Sequence, residues 1–293
     1  MIKKLKGTGV AIVTPFRKDG SLDFSAFSRL INYQIDNGIN YIVALGTTGE
    51  SVTLNKDEKT AVINFVKETI DGRIPLVVGI GGNNTSEIVN SINQTDFEGI
   101  DAVLSVSPYY NKPSQEGIYQ HYTAIAQTSP VPVILYNVPG RTGINISAET
   151  TLRLAKNRNI CAIKEASGQI DQIIKILKER PKNFLVISGD DALTLPILML
   201  GGDGIISVIA NVLPQIFSAM VNYALDREFE KAIEINNNLL DMYKYLFIEG
   251  NPAGIKATLN ILKLIDNNLR LPLVPVGKET YQKLKDSISK LKN

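Results

Sequence analysis

The stretch Ile160-Cys161-Ala162-Ile163-Lys164-Glu165-Ala166-Ser167-Gly168 runs from four apolar residues into a lysine, an acid and a glycine-bearing turn. A short apolar run without polar alternation belongs to a strand covered on both faces, and such strands form parallel sheets. Runs of the same kind lie upstream at Val10-Ala11-Ile12-Val13, Tyr41-Ile42-Val43-Ala44-Leu45, Leu76-Val77-Val78, Ala102-Val103-Leu104-Ser105-Val106 and Val133-Ile134-Leu135-Tyr136. Two more follow at Leu185-Val186-Ile187 and Gly204-Ile205-Ile206-Ser207. Between them lie amphipathic stretches with apolar residues at helical spacing, such as Phe27, Leu30, Ile31 and Ile35, or Leu152, Leu154 and Ala155. Each interval has the size of a βα unit. Eight such units in about 220 residues predict an α/β fold, a (β/α)8 TIM barrel, with a doubly wound sheet as the competing arrangement.

From roughly Pro214 onward the strand pattern stops. Ile216 to Leu225, Glu228 to Phe247, Gly254 to Lys263 and Glu279 to Leu291 read as helices. The expected organisation is a barrel over residues 1–224 and a small helical region over 225–293 packed on it, with no low-complexity linker between them.

Composition narrows the classes of function. At 293 residues and 44% hydrophobic the chain can bury a large core. A net charge of +2 without an extended basic run leaves no footprint for nucleic acid. No stretch approaches the ~18 apolar residues of a membrane span, and Met1-Ile2-Lys3-Lys4 lacks the apolar region of a signal peptide. A cytoplasmic protein without a membrane partner is the expectation. Cys161 is the only cysteine, which precludes an internal disulfide and fits a reducing compartment. His121 is the only histidine and has no nucleophile elbow near it, and one histidine with one cysteine cannot make a usual zinc site. Carbonyl chemistry, if the chain performs it, is expected to run through an amine rather than a metal.

In a barrel, chemistry gathers where strands end and βα loops begin. Those ends carry Thr14, Gly46-Thr47-Thr48-Gly49-Glu50, Ser107-Pro108-Tyr109-Tyr110, Tyr136-Asn137-Val138-Pro139-Gly140-Arg141, Lys164-Glu165, Ser188-Gly189-Asp190-Asp191 and Ser207. A lysine closing a buried strand must be paired or held in part as the free amine, and a free amine attacks carbonyl carbon to form a Schiff base. The plainer alternative is a lysine that snorkels to solvent or pairs with Glu165. Gly46 to Gly49 read as a turn opening a helix, whose N–H groups and hydroxyls suit a carboxylate or simply cap the helix. Tyr136, on the neighbouring strand, can relay protons to a carbinolamine or serve as a core tyrosine. Arg141 suits a bidentate grip on a carboxylate or a surface ion pair. Asp190-Asp191 offers a weak magnesium site or, through Asp191, a cap for the helix that follows. Gly79-Ile80-Gly81-Gly82-Asn83-Asn84 lacks the last glycine of a dinucleotide fingerprint, so no cofactor is expected there.

Taken together, Gly46-Thr47-Thr48-Gly49-Glu50, Tyr136-Asn137-Val138-Pro139 and Ile163-Lys164-Glu165 resemble the dihydrodipicolinate synthase and N-acetylneuraminate lyase superfamily of class I aldolases. The resemblance spans nearly the whole chain, through Pro108 to Pro113, Ser188 to Asp191 and Asn251-Pro252. Arg141-Thr142-Gly143 and the paired Tyr109-Tyr110 are similar to the dihydrodipicolinate synthase branch rather than to the sialic-acid lyases. The resemblance implies condensation of pyruvate with L-aspartate 4-semialdehyde to 4-hydroxy-tetrahydrodipicolinate, on the diaminopimelate route to lysine. It implies no cofactor, since the imine forms on Lys164 itself. Thr48 would hold the pyruvate carboxylate, Tyr136 would exchange protons in a relay with Thr47 and Tyr110, and Arg141 would bind the aldehyde's carboxylate. The backbone at Ile206 and Gly189 would line the pyruvate side. Tyr110 would enter the partner subunit's site in a homo-oligomer, most often a dimer of dimers. An allosteric pocket would involve Ser51, Lys56, Lys59, Asn83, Glu87 and Tyr109. Lysine-sensitive members often carry histidines where this chain has Lys56 and Lys59, so weak or absent lysine inhibition is expected. A sugar-acid aldolase of the same fold is the alternative, against which Arg141 argues. A non-catalytic relative would be expected to have lost Lys164 or Tyr136, and both are present.

Overall fold

A computed structural model describes residues 2–291, and the strands close into an eight-stranded parallel barrel in sequence order, with the last pairing back to the first. The strands are β1 (Gly7–Ala11), β2 (Tyr41–Ala44), β3 (Leu76–Gly79), β4 (Ala102–Val106), β5 (Val133–Asn137), β6 (Ile160–Glu165), β7 (Leu185–Ser188) and β8 (Gly204–Ser207). Around and below them run α1 (Phe24–Asp36), α2 (Lys56–Ile70), α3 (Thr85–Gln94), α4 (Gln115–Thr128), the single turn α5 (Pro139–Thr142), α6 (Ala148–Leu154), α7 (Ile170–Glu179), α8 (Thr194–Met199) and α9 (Pro214–Leu225). The chain ends in α10 (Phe229–Phe247), α11 (Ala253–Ile261) and α12 (Lys278–Leu291). The (β/α)8 barrel expected from the eight apolar runs is therefore the observed fold, and the doubly wound alternative is not.

Two strand boundaries differ from the sequence pattern for physical reasons. β1 begins at Gly7, three positions before its apolar run, because Gly7, Thr8 and Gly9 pair with β8 while Gly9 also pairs with Tyr41 of β2. Gly9 is glycine because the Tyr41 ring fills the space a Cβ would need, an approach of 2.2 Å. The polar β6 residues Lys164 and Glu165 lie within the strand rather than beyond it, paired with Tyr136 and Asn137 of β5.

Several helices start where a side chain satisfies their orphan N–H groups. Asp23 caps α1, Asn84 caps α3, Ser114 caps α4 and Ser147 caps α6. Asn55 forms a capping box with Glu58 at the start of α2. One apolar layer fills the barrel interior, including Tyr41, Val43, Ile134, Ala162, Ile187 and Ile206. A second seals the barrel against α3, α4, α6 and α7. The third joins barrel residues such as Val10 and Ile42 to Phe217, Leu239, Leu246, Ile255 and Leu284 of the later helices. α10 to α12 thus share a core with β1, β2, α1 and α2, which is what lets them reach the site.

Candidate active site

Side chains alternate across a strand, so β5 and β6 each send one residue inward for every residue outward. Tyr136 follows the interior Ile134, and Lys164 follows the interior Ala162. The two are direct partners in the parallel register, and Lys164 Nζ lies 4.2 Å from the centre of the Tyr136 ring. Lys164 is only 5% exposed, and among the described residues no carboxylate forms an ion pair with it. The neighbouring Glu165 points the other way. Its carboxylate accepts from Asn137 Nδ2 at 3.1 and 3.2 Å, from the Ser167 N–H at 2.8 Å and from Gln172 Nε2 at 3.1 Å. Burial pushes the Glu165 carboxyl upward, against these donors, which pull it down. The expected alternatives for Lys164, pairing with Glu165 or snorkelling to water, are both absent.

Gly189 gives the lysine stem its room. A Cβ there would sit 2.9 Å from Ala166 Cβ and 3.0 Å from Lys164 Cε, too close for either to stay in place. Its N–H donates to the Glu165 carbonyl, tying the β7 loop to β6. Ile206 is buried in the barrel interior on β8. The adjacent Asp191 carboxylate accepts from Ser207 Oγ at 2.7 Å and from the N–H groups of Val208 and Ile209. It therefore fastens the turn after β8 instead of capping the helix that follows it in sequence. Asp190 Oδ1 instead accepts from Ala192 and Leu193. Burial drives the Asp191 carboxyl up to about 6. Among the described residues no group of three or more His, Cys, Asp or Glu is placed to hold a metal.

The loop after β2 is a turn followed by the 3₁₀ turn Ser51–Thr53, and α2 starts only at Lys56 with its own cap. Gly46 to Gly49 therefore do not open α2, contrary to the sequence reading. The N–H groups of Gly49 and Glu50 close back on Gly46 and Thr47, and Thr14 Oγ donates to the Gly49 carbonyl at 2.7 Å. Among the described residues the N–H groups of Thr47 and Thr48 have no such partner, leaving two donors at the loop's tip. A Cβ at Gly49 would lie 3.2 Å from the Ile12 carbonyl, a tight approach that favours glycine.

A cleft of about 790 Å³ opens over this face, lined among others by Thr47, Tyr136, Val138 and Arg141. Arg141, on α5, is exposed at its edge, and its guanidinium donates to the Asn251 carbonyl at 3.4 Å. Lys164 and Thr48 lie outside this lining, and Lys164 meets the cleft through Tyr136. A buried amine beside a tyrosine that shares a cleft with a loop threonine and an arginine is suited to covalent carbonyl chemistry on an anionic substrate.

The family model for the dihydrodipicolinate synthetase family matches residues 4–291. This chain belongs to that family. It is 51% identical over 288 residues to the 4-hydroxy-tetrahydrodipicolinate synthase of Parabacteroides distasonis, covering 98% of this chain and 97% of the relative. The dihydrodipicolinate synthase structure from Thermotoga maritima superposes with a TM-score of 0.95 at 42% identity, over 97% of this chain and 98% of that one. The Acinetobacter baumannii enzyme, solved with pyruvate bound, has a TM-score of 0.95 at 41% identity, over 97% of this chain and 98% of that one.

Within this member of the dihydrodipicolinate synthetase family, some expected groupings are present in the single chain and others are not. Thr47 and Tyr136 line one cleft, although no hydrogen bond joins them among the described residues. Tyr110 stands apart from them. It is 88% exposed, with a left-handed φ of 71° that turns the chain at that point. Ser51, Lys56, Lys59 and Tyr109 line the same cleft. Asn83 and Glu87 are not in its lining: the Asn83 carbonyl accepts from Asn111, and Glu87 lies exposed in the first turn of α3.

The sequence reading assigned no role to Asn251 or Lys256. Asn251 Nδ2 donates to Thr48 Oγ at 2.9 Å across 203 positions of chain. Lys256 on α11 pairs with Glu50 at 2.5 Å, both side chains wholly buried. Its Nζ also donates to the Asn268 carbonyl and lies 4.1 Å from the Phe16 ring centre. Burial lowers Lys256 to about 8, against the pull of Glu50. The only hint in the sequence was the motif Asn251-Pro252 itself. Nothing in local periodicity links it to the β2 loop.

Proposed function

We propose that the protein condenses pyruvate with L-aspartate 4-semialdehyde to 4-hydroxy-tetrahydrodipicolinate through a Schiff base on Lys164. The observation that carries this reading is the unpaired, buried Lys164 amine against the Tyr136 ring, in a chain of this family. The amine adds to the pyruvate ketone, and loss of water from the carbinolamine gives the imine. Removal of a methyl proton gives the enamine, whose carbon attacks the aldehyde. The substrate's own amino group then adds to the imine carbon, closing the ring and releasing Lys164. Tyr136 moves protons at the carbinolamine and at the new alcohol, with Thr47 and the partner's copy of Tyr110 completing the relay.

Thr48 and the free N–H donors of its loop hold the pyruvate carboxylate, and Arg141 holds that of the aldehyde. Gly189 and Ile206 shape the pyruvate side. The reading requires no cofactor, because the lysine supplies the electron sink. A homo-oligomer, a tetramer built as a dimer of dimers, is supported by the outward placement of Tyr110. A cytoplasmic site of action is supported by the lone, buried Cys161. No helix among the described residues is long and apolar enough to cross a membrane.

The test is a panel of aldehydes offered with pyruvate to the purified protein. Product formation is expected with L-aspartate 4-semialdehyde well above that with N-acetylmannosamine or other sugars. Preferential turnover of a sugar aldehyde would overturn the substrate assignment while leaving the imine chemistry intact.

A further inference from the structure

Asn251 occupies the sharp connection between α10 and α11. Gly250 turns the chain with a left-handed φ of 88°. Gly254 lets α11 press onto the end of α10, where a Cβ would meet the Leu246 carbonyl at 2.2 Å. The backbone at 251 is therefore held by packing on both sides. From that fixed point the residue reaches both side chains assigned to substrate carboxylates: its Nδ2 donates to Thr48 Oγ, and its carbonyl accepts from Arg141. Both Asn251 and Thr48 are buried, and Asn251 Oδ1 has no protein partner.

We infer that Asn251 is a positioning residue whose side-chain amide sets the polarity of the Thr48 hydroxyl. A hydroxyl has one proton to give and lone pairs to receive. With a lone pair of Thr48 Oγ occupied by the Asn251 amide, its proton is directed away from Asn251 and toward the pyruvate carboxylate. The backbone carbonyl of Asn251 meanwhile accepts from the Arg141 guanidinium, so one residue of the helical region touches two anion-holding groups that come from different barrel loops. The inference rests on the roles proposed above for Thr48 and Arg141.

The two readings separate in a double-mutant cycle on the full-length protein. Asn251→Ala and Asn251→Asp are made alone and with Thr48→Val, and the KM for pyruvate is measured alongside kcat and thermal midpoint. Asn251→Asp keeps the shape but replaces a donor with an acceptor that captures the Thr48 proton. It is expected to raise the pyruvate KM about tenfold, more than Asn251→Ala does, with a smaller change in kcat. In the Thr48→Val background the same Asp substitution is expected to change KM by less than about threefold, because the hydroxyl it acts through is gone. A purely structural role would rank Ala as the more damaging change and would move the thermal midpoint with KM, and that result overturns the inference. Equal effects of Asp with and without the Thr48 hydroxyl would overturn it too, leaving simple charge repulsion. If the wild-type protein forms no borohydride-trappable adduct with pyruvate, the proposed function itself has failed, and the cycle is not what rejects it.

Discussion

In the proposed reaction Lys164, a buried amine, and Arg141, an exposed cation at the cleft, have separate roles that can be tested separately. Arg141→Ala removes a charge-assisted grip without touching the barrel interior. Borohydride trapping of pyruvate is expected to persist, while condensation with L-aspartate 4-semialdehyde falls by about tenfold to a hundredfold, measured as kcat/KM for the aldehyde. Loss of both steps together would place Arg141 in the pyruvate site. At this scale the sequence was informative wherever a polar residue broke an apolar run. Lys164 was visible for that reason, and Tyr136 followed from its position on the adjacent strand. Asn251 was not visible, because an asparagine before a proline looks like any turn, and its partner Thr48 lies 203 positions away. Gly189 was placed at a strand end by the apolar pattern, but its role was implied by the resemblance alone. Its physical reason, room for the Lys164 stem, needed the packed barrel to be seen.

The element that carries most of the remaining information is α2 with the loop before it. Arg270, from the segment between α11 and α12, pairs with Glu58 of α2 at 2.5 Å and donates to the Gly20 and Thr53 carbonyls. The hydrogen bond from Arg270 holds the Glu58 carboxyl down at about 2, below its ordinary value of 4.5. A carboxyl lowered on folding contributes stability that is complete above its unfolded value and is lost as pH falls toward the folded one. Glu58→Gln is therefore expected to destabilise by about 1 kcal/mol near neutral pH. The difference from wild type should shrink as pH drops from 4.5 toward 2. Denaturant melts at a series of pH values measure it, and a gap that stays constant with pH would show that the ion pair is not its source.

The same first turn of α2 presents Lys56 and Lys59 to the cleft. Two ammonium groups oppose a cationic effector, and even about 1.4 kcal/mol of residual repulsion weakens binding tenfold. Free lysine is accordingly expected to leave activity largely unchanged, with no saturable signal in calorimetric titration at sub-millimolar concentration. A saturable isotherm with parallel loss of activity would show that the cleft accepts the charge. Helix α2 itself was legible from its apolar spacing. What the sequence misplaced was its start, since the turn and 3₁₀ segment after β2 have the composition of a helix cap yet stand before one.

On the scale of the whole molecule, the non-alternating apolar runs pointed to a parallel sheet, and their number favoured the barrel over a doubly wound sheet. The pairing of β8 with β1 decides between the two. The contribution of the C-terminal helices to the site was hidden. α11 holds the β2 loop through Lys256 and Glu50, and the residues just before it hold Thr48 and Arg141. These are long-range contacts that no local pattern encodes. In the proposed oligomer the exposed Tyr110 would extend the same logic beyond one chain. Tyr110→Phe should slow turnover while leaving the fold intact. A mixed dimer of Tyr110→Phe and Lys164→Ala protomers carries both lesions in one site and none in the other. Reassembled mixtures are expected to exceed the mean activity of the two parents. No recovery, with mixed dimers verified by mass, would confine Tyr110 to its own subunit or remove it from catalysis.

In the proposed mechanism one buried amine, Lys164, carries the chemistry. Incubation with pyruvate and borohydride, followed by peptide mass measurement, tests it most directly. One reduced pyruvate adduct per chain is expected, located on the peptide containing Lys164, and none in a folded Lys164→Ala variant. An adduct on another lysine, or an undiminished adduct in Lys164→Ala, would contradict it.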